Sequence, residues 1–304
     1  MEGPIWSHEY FAQKGDVSLF MWRKRLESPS KCPAPKPVLF LVHGSSFSGP
    51  TGFDLQVPEK QDYSLMDKFA SYGFDVWTLD HEGYGRSDKT SGNSGILEGV
   101  NDISAGMELI RRETHATSAA FYGSSSGALR AAAFAEVFPN SVNKLILDAF
   151  VWTGEGSPTL TERTKKIDQW TSSNFRPVDR DFFVSIFTRD KPGTSEEGVA
   201  EALAERELAI CNSVPTGTYV DMCSLLPICD PTKIKCPVLI IRGEHDGIAT
   251  EEDLFNYFNK LPTRDKQFVI IPGLAHVTFL GANRSRLWHV MKDFLHGPDR
   301  IDER

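Results

Sequence analysis

Positive charge, cysteine and long apolar runs are all scarce in this chain of 304 residues. Lys and Arg number 33 against 41 Asp and Glu, a formal net charge of −8, and no basic stripe interrupts that balance, so a nucleic-acid partner is not expected. No apolar run approaches the roughly 20 residues that span a bilayer, so no membrane partner is expected either. The N-terminus, Met1-Glu2-Gly3-Pro4-Ile5-Trp6, lacks a basic region followed by an apolar stretch, which argues against a signal peptide. The five cysteines (Cys32, Cys211, Cys223, Cys229, Cys236) are odd in number and show no C-x-x-C spacing. One disulfide in the last third is conceivable, but reduced thiols in a cytoplasmic protein are the simpler expectation. H-E-x-x-H, P-loop and G-x-G-x-x-G fingerprints are missing, so neither metal nor cofactor is expected. Ser141-Val142-Asn143-Lys144 fits S-x-x-K, yet it lies where a loop enters a strand and its partner motifs are absent.

What the chain does contain is ordinary globular composition, 40% hydrophobic and 24% charged, in a length suited to one large domain or a domain with an insertion. Alternation around Gly15-Asp16 predicts a β-hairpin over about Trp6 to Leu26. Continuous apolar runs at Val38–Val42, Phe74–Leu79, Ser118–Tyr122, Lys144–Leu147, Pro237–Ile241 and Phe268–Ile271 predict buried strands. Helical patterns fall between them, at about Tyr63–Tyr72, Gly95–Arg112, Ser126–Phe138, Glu251–Leu261 and Leu280–Leu295. This rhythm implies a mostly parallel central sheet with helices on both faces. It breaks from Val151 to about Lys233, where helical patches such as Glu196–Cys211 occur without a convincing strand. The expected organisation is therefore a core of residues 1–150 and 234–304 with a helical insertion over 151–233, and no internal repeat.

Chemistry concentrates at Gly123-Ser124-Ser125-Ser126-Gly127. The stretch fits G-x-S-x-G with a strand before it and a helix after it. A serine on such a turn projects its hydroxyl off the sheet at a helix N-terminus, where free N–H groups favour negative charge. The flanking glycines fit a turn too sharp for a neighbouring Cβ. A serine hydroxyl needs a base and an orienting acid to become a nucleophile. Asp246 follows the Val238–Ile241 strand and His276 follows the Phe268–Ile271 strand, at the carboxyl ends where catalytic groups cluster. Asp148 competes with Asp246 as the acid; otherwise it anchors the start of the insertion.

A tetrahedral intermediate also needs hydrogen-bond donors. The backbone N–H of Ser126 is one candidate, and the loop His43-Gly44-Ser45-Ser46-Phe47 supplies Ser45 as the other. Gly44 lets that loop fold back over the site, Ser46 is expected to line the pocket, and His43 is expected to pack beneath it.

Together these motifs resemble the α/β-hydrolase superfamily: Leu41-Val42-His43-Gly44 for the first loop, the Ser125 elbow, Gly243-Glu244-His245-Asp246 and Ala275-His276. Asp80-His81-Glu82-Gly83-Tyr84-Gly85-Arg86-Ser87 is similar to a structural turn of that superfamily. The resemblance covers about Val38–Phe150 and Pro237–Phe294, and the insertion matches the family's cap. It implies an α/β-hydrolase fold and a cofactor-free serine hydrolase, most simply of a small to medium, fairly apolar ester. A serine at the elbow argues against the branches that use aspartate there. Lactonase, thioesterase, carbon–carbon bond hydrolase and a non-catalytic small-molecule receptor are the alternatives. Trp152, Trp170, Phe175, Phe182, Phe183, Ile186 and Phe187 are expected to divide between an apolar roof and the insertion's own core. Of Arg176, Arg180 and Arg189, one could meet a substrate carboxylate such as that of a monoalkyl phthalate. A homodimer is left open.

Overall fold

The computed structural model describes residues 3–298. The expected core boundaries at residues 1 and 304 therefore lie outside the described residues. A hairpin of β1 (Ile5–Lys14) and β2 (Val17–Leu26) turns at Gly15, whose φ of +59° suits a residue without a Cβ. The chain continues through β3 (Val38–Val42), α1 (Gly49–Phe53), α2 (Leu65–Ser71), β4 (Asp75–Leu79) and α3 (Ile96–Thr114). Then come β5 (Ala119–Ser124), α4 (Ser126–Val137) and β6 (Val142–Asp148). The insertion holds α5 (Pro158–Thr164), α6 (Ile167–Thr171), β7 (Phe175–Pro177), α7 (Arg180–Thr188), α8 (Val199–Leu208), β8 (Ser213–Pro215) and α9 (Gly217–Ser224). The core closes with β9 (Val238–Gly243), α10 (Glu251–Lys260), β10 (Lys266–Ile271) and α11 (Arg284–His296).

Eight strands form one sheet in the order β1-β2-β4-β3-β5-β6-β9-β10. The hairpin joins it antiparallel, whereas every pairing from β4 to β10 is parallel. This is an α/β-hydrolase fold. The run Val38-Leu39-Phe40-Leu41-Val42 shows why helices must cover both faces. Val38, Phe40 and Val42 join the core beneath α3 and α4, while Leu39 and Leu41 join the core beneath α2 and α11. Among the described residues no helix is long and apolar enough to cross a membrane. All five cysteines are free thiols.

Four local expectations need correction, the first being that Phe268–Ile271 is buried: β10 is an edge strand in which Ile271 alone is buried. The insertion contains a two-stranded antiparallel sheet, β7 with β8, each strand three residues long and ending in proline. Such pieces are too short to show alternation. Helix α11 starts at Arg284, because Thr278–Leu280 form a separate 3-10 turn. Helix α1, of sequence Gly-Pro-Thr-Gly-Phe, is built from poor helix formers and held by burial of four of its five residues.

Candidate active site

Strand β5 ends at Ser124 and α4 starts at Ser126, so Ser125 alone makes the turn between them. Its backbone sits at φ +58°, ψ −125°, a strained conformation for a residue with a side chain. The Ser125 N–H donates to the carbonyl of Asp148 at 2.9 Å, which helps to hold the strain. Close packing explains Gly127: a Cβ there would lie 2.1 Å from the Val42 carbonyl oxygen and 2.6 Å from that of His43.

The hydroxyl of Ser125 lies 3.0 Å from His276 Nε2, and His276 Nδ1 lies 2.9 Å from Asp246 Oδ1. Asp246 Oδ1 also accepts from the Ile248 N–H at 2.9 Å, which fixes the carboxylate in its loop. With Asp246 accepting, the histidine carries its proton on Nδ1 and presents an unprotonated Nε2 to the serine. The sequence-predicted serine, acid and histidine thus come together from three strand ends.

Asp148 is fully buried and does not join that line. It accepts from the Tyr122 hydroxyl at 2.6 Å and from the Thr278 hydroxyl, and burial pushes its carboxyl up to about 7. Asp190, which the motif reading did not single out, stands near His276 instead. Asp190, Asp246 and His276 place donor atoms within 4.8 Å of one another, the one such cluster among the described residues. Asp190 is engaged by Arg189 at 2.9 Å and Asp246 by His276, so both carboxylates already have partners.

Beside Ser125 the β3–α1 loop returns over the nucleophile. A Cβ on Gly44 would stand 3.2 Å from that of Ser125, so a side chain there would crowd the hydroxyl. Among the described residues neither the Ser45 nor the Ser126 amide donates to a backbone acceptor. The Ser45 hydroxyl donates to that of Ser126 at 2.7 Å and accepts from the Thr218 hydroxyl at 2.8 Å. Beneath the loop, His43 donates from Nδ1 to the Gly44 carbonyl at 2.8 Å and accepts at Nε2 from the His81 N–H at 3.0 Å. Burial holds His43 well below the ordinary histidine range, so it packs there uncharged.

Three insertion residues hold this loop. Thr218 does so through Ser45; Arg176 donates to the Ser45 carbonyl at 3.2 Å; and Glu207 accepts from the Ser48 N–H at 3.1 Å and hydroxyl at 2.7 Å. The Asp80 turn braces it from the other side, accepting from the Gly49 N–H and the Arg86 N–H at 2.9 Å each. The S-x-x-K lysine is structural, because Lys144 donates to three carbonyls at the end of α11.

Two spaces open at Ser125. One is a recess of about 30 Å³ walled by Phe47, Phe53, Ile186 and Phe279, with Ser46 at its rim. The other is a cavity of about 320 Å³ beneath the insertion, reached by Trp170, Phe182 and Ile186 as expected, and by Arg163, Lys166, Arg189 and Tyr219. Trp152 is not there: its indole N–H meets the Cys229 carbonyl at 3.3 Å and its ring packs on Tyr257, at a separate surface hollow. Phe183 and Phe187 are core residues of the insertion, and Arg180 reaches outward towards Glu201. The residues missed had a readable signal, since Thr159, Glu162, Arg163 and Lys166 follow helical spacing and all border the cavity.

Solved structures share this architecture at low identity. A thermophilic esterase from Thermogutta terrifontis superposes with a TM-score of 0.65 at 19% identity, covering 95% of this chain and 98% of the other. The 2-hydroxy-6-oxo-6-phenylhexa-2,4-dienoate hydrolase from Rhodococcus sp. strain RHA1 gives 0.67 at 15%, covering 96% and 100%. The monoacylglycerol lipase from Paleococcus ferrophilus gives 0.63 at 16%, covering 91% and 98%. No curated protein matches the sequence. The model of the family described as serine aminopeptidase, S33 (Hydrolase_4) matches residues 60–282, well over half of the chain. On that match, the protein belongs to this family of α/β hydrolases.

Proposed function

We propose that the protein is a serine hydrolase of a small to medium, fairly apolar carboxylic ester, working through an acyl-enzyme on Ser125. The observation that carries this reading is the hydrogen-bonded line from Ser125 through His276 to Asp246, at 3.0 and 2.9 Å. His276 takes the Ser125 proton as the hydroxyl attacks the carbonyl, and Asp246 stabilises the imidazolium that forms. The uncommitted amides of Ser45 and Ser126 donate to the oxyanion. His276 then protonates the leaving alcohol, and water repeats the sequence on the acyl-enzyme. Residues 151–233 act as the cap that shapes the acyl and alcohol sites, and the phenylalanine-walled recess takes a small apolar group.

The name of the family raises a second reading, hydrolysis at a peptide N-terminus. An aminopeptidase must hold a cationic amine, yet the cavity over Ser125 is bordered by three cations, Arg163, Lys166 and Arg189, against one carboxylate, Glu162. That charge opposes an ammonium substrate, so the ester reading is preferred. A panel of 4-nitrophenyl esters, lactones, acyl-thioesters, vinylogous diketones and aminoacyl anilides tests it. Ester cleavage should lead, Ser125→Ala should lower it by roughly 10⁴-fold or more, and phenylmethylsulfonyl fluoride should label Ser125. Substantial ester cleavage by the alanine variant sinks the proposal.

A further inference from the structure

The cavity beneath the insertion has more cationic groups than its acids can satisfy. Arg163, Lys166 and Arg189 border it, and Arg176 lies behind its wall, donating to the Ser45 carbonyl. The two carboxylates at hand are Glu162, paired to Lys165 at 2.5 Å, and Asp190, paired to Arg189 at 2.9 Å. Among the described residues neither Arg163 nor Arg176 pairs with a carboxylate. Both guanidinium groups lie against one ring, that of Tyr219, at 3.7 and 4.2 Å from its centroid. Nη1 of Arg163 and Nε of Arg176 are buried without a hydrogen-bond partner. An unmet buried donor is costly, and more so on a charged group.

We propose that this arginine cluster is a carboxylate subsite, so that the ester cleaved at Ser125 carries a carboxylate on its acyl or alcohol part, held chiefly by Arg163. The inference rests on the ester reading above. A guanidinium presents paired N–H groups that match a carboxylate, and the stack on Tyr219 holds the Arg163 fork flat and ready. Burial raises the Tyr219 phenol, yet the same positive field of Arg176 and Arg163, with smaller help from a Ser46 hydrogen bond and Arg189, lowers it to about 8. Arg163 and Ser125 border one cavity of about 320 Å³, room for an acyl or aryl group between them. The apolar recess beside Ser125 then takes the uncharged end. A neutral ester would fill the same space and leave the Arg163 guanidinium without a counter-charge.

Two matched pairs of esters test the subsite, one for each side of the scissile bond. Mono-4-nitrophenyl glutarate is compared with 4-nitrophenyl valerate, and 4-acetoxybenzoate with phenyl acetate. In at least one pair the charged ester should be favoured about tenfold or more in kcat/KM, and the preference should weaken as salt rises. Arg163→Gln should remove that preference while leaving the neutral ester within about threefold, and Arg163→Lys should restore part of it. Retained cleavage of the neutral ester also shows that the variant is folded. Preference for the neutral ester in both pairs, or a parallel loss of both esters in Arg163→Gln, overturns the proposal. If the wild type cleaves no ester at all, the ester reading fails, and calorimetric titration with monoethyl glutarate decides the subsite by itself. Binding that weakens about tenfold in Arg163→Gln then supports the subsite; no binding overturns it.

Discussion

Thr218 donates to the hydroxyl of Ser45 at 2.8 Å, and through it an insertion helix sets the loop that faces the nucleophile. Ser45 passes the hydrogen bond on to Ser126 at 2.7 Å, so one buried chain of hydroxyls runs between the two amides proposed to hold the oxyanion. Thr218→Val keeps the shape of the side chain and removes the donor. A hydrogen bond of this kind contributes about 1 kcal/mol, so kcat should fall roughly threefold to tenfold while KM changes little. Steady-state kinetics on one ester checks this. A change confined to KM would show that the chain shapes the pocket and does not act on the transition state.

Asp246→Asn should be far more damaging. The new side-chain amide would turn either an N–H or a carbonyl towards His276, and the N–H orientation would drive the imidazole proton onto Nε2, facing Ser125. Loss of the correct tautomer and of the charge opposite the imidazolium should lower kcat by roughly 10³- to 10⁴-fold. The Oδ1 that faces His276 also accepts from the Ile248 N–H, so the N–H orientation would lose that hydrogen bond too, a cost of about 1 to 3 kcal/mol that the fold should survive. Thermal unfolding near the wild-type midpoint together with collapsed kcat is the expected pair of results. Activity within tenfold of wild type would assign the orienting role elsewhere, with Asp190 the nearest carboxylate.

Asp148 should leave its mark on stability and not on the chemistry. Burial raises its carboxyl from an ordinary value near 3.8 to about 7. Below about pH 4 both folded and unfolded states hold the proton, and its stabilising contribution is complete. Between about 4 and 7 the folded state keeps a proton that the unfolded chain has lost, so stability falls as pH rises; above about 7 the loss is complete. Asp148→Asn supplies a neutral acceptor for Tyr122 and Thr278 at every pH. The variant's melting temperature relative to wild type should therefore rise between pH 4.5 and 7.5, with kcat within about threefold. A pH-independent difference would show that Asp148 does not titrate in that window.

How far the sequence could be read depended on the range of each interaction. Strands β3, β5, β6 and β9 announce themselves because both faces are buried, and Ser125 and Asp246 follow soon after β5 and β9; His276 follows β10, an edge strand in which Ile271 alone is buried. Asp148 and Asp246 look alike in sequence, since both follow a strand. Only the packing of Tyr122 and Thr278 onto Asp148 separates a buried anchor from a carboxylate facing His276. Trp152 departs from the pocket for a similar reason: its side chain suits a pocket wall, but Asp253, which accepts from the Trp152 backbone N–H at 2.9 Å, lies 101 residues away in sequence. The arginine cluster draws on α5, β7 and the end of α7, and no local pattern joins them. The helical spacing of Thr159, Glu162, Arg163 and Lys166 was legible, but it names a face without saying what that face covers.

Glu207 is the clearest test of whether the insertion is fastened to the loop or rests on it. Its carboxylate, buried at the end of α8, accepts from both the N–H and the hydroxyl of Ser48, and burial raises its own protonation range. Glu207→Ala would leave the Ser48 N–H buried and unmet, while the hydroxyl turns to Thr51 Oγ1 at 2.9 Å, at a cost of about 2 to 3 kcal/mol. Glu207→Gln retains an acceptor for the Ser48 N–H and avoids burying a charge, so it should cost about 1 kcal/mol or less. Urea unfolding of the two variants gives the comparison directly. Because Ser48 directly follows Phe47, a wall of the recess beside Ser125, the alanine variant should also lose discrimination between short and long acyl esters. Equal stability of the alanine and glutamine variants would mean that water replaces the carboxylate at Ser48 and that the insertion is held by its apolar contacts.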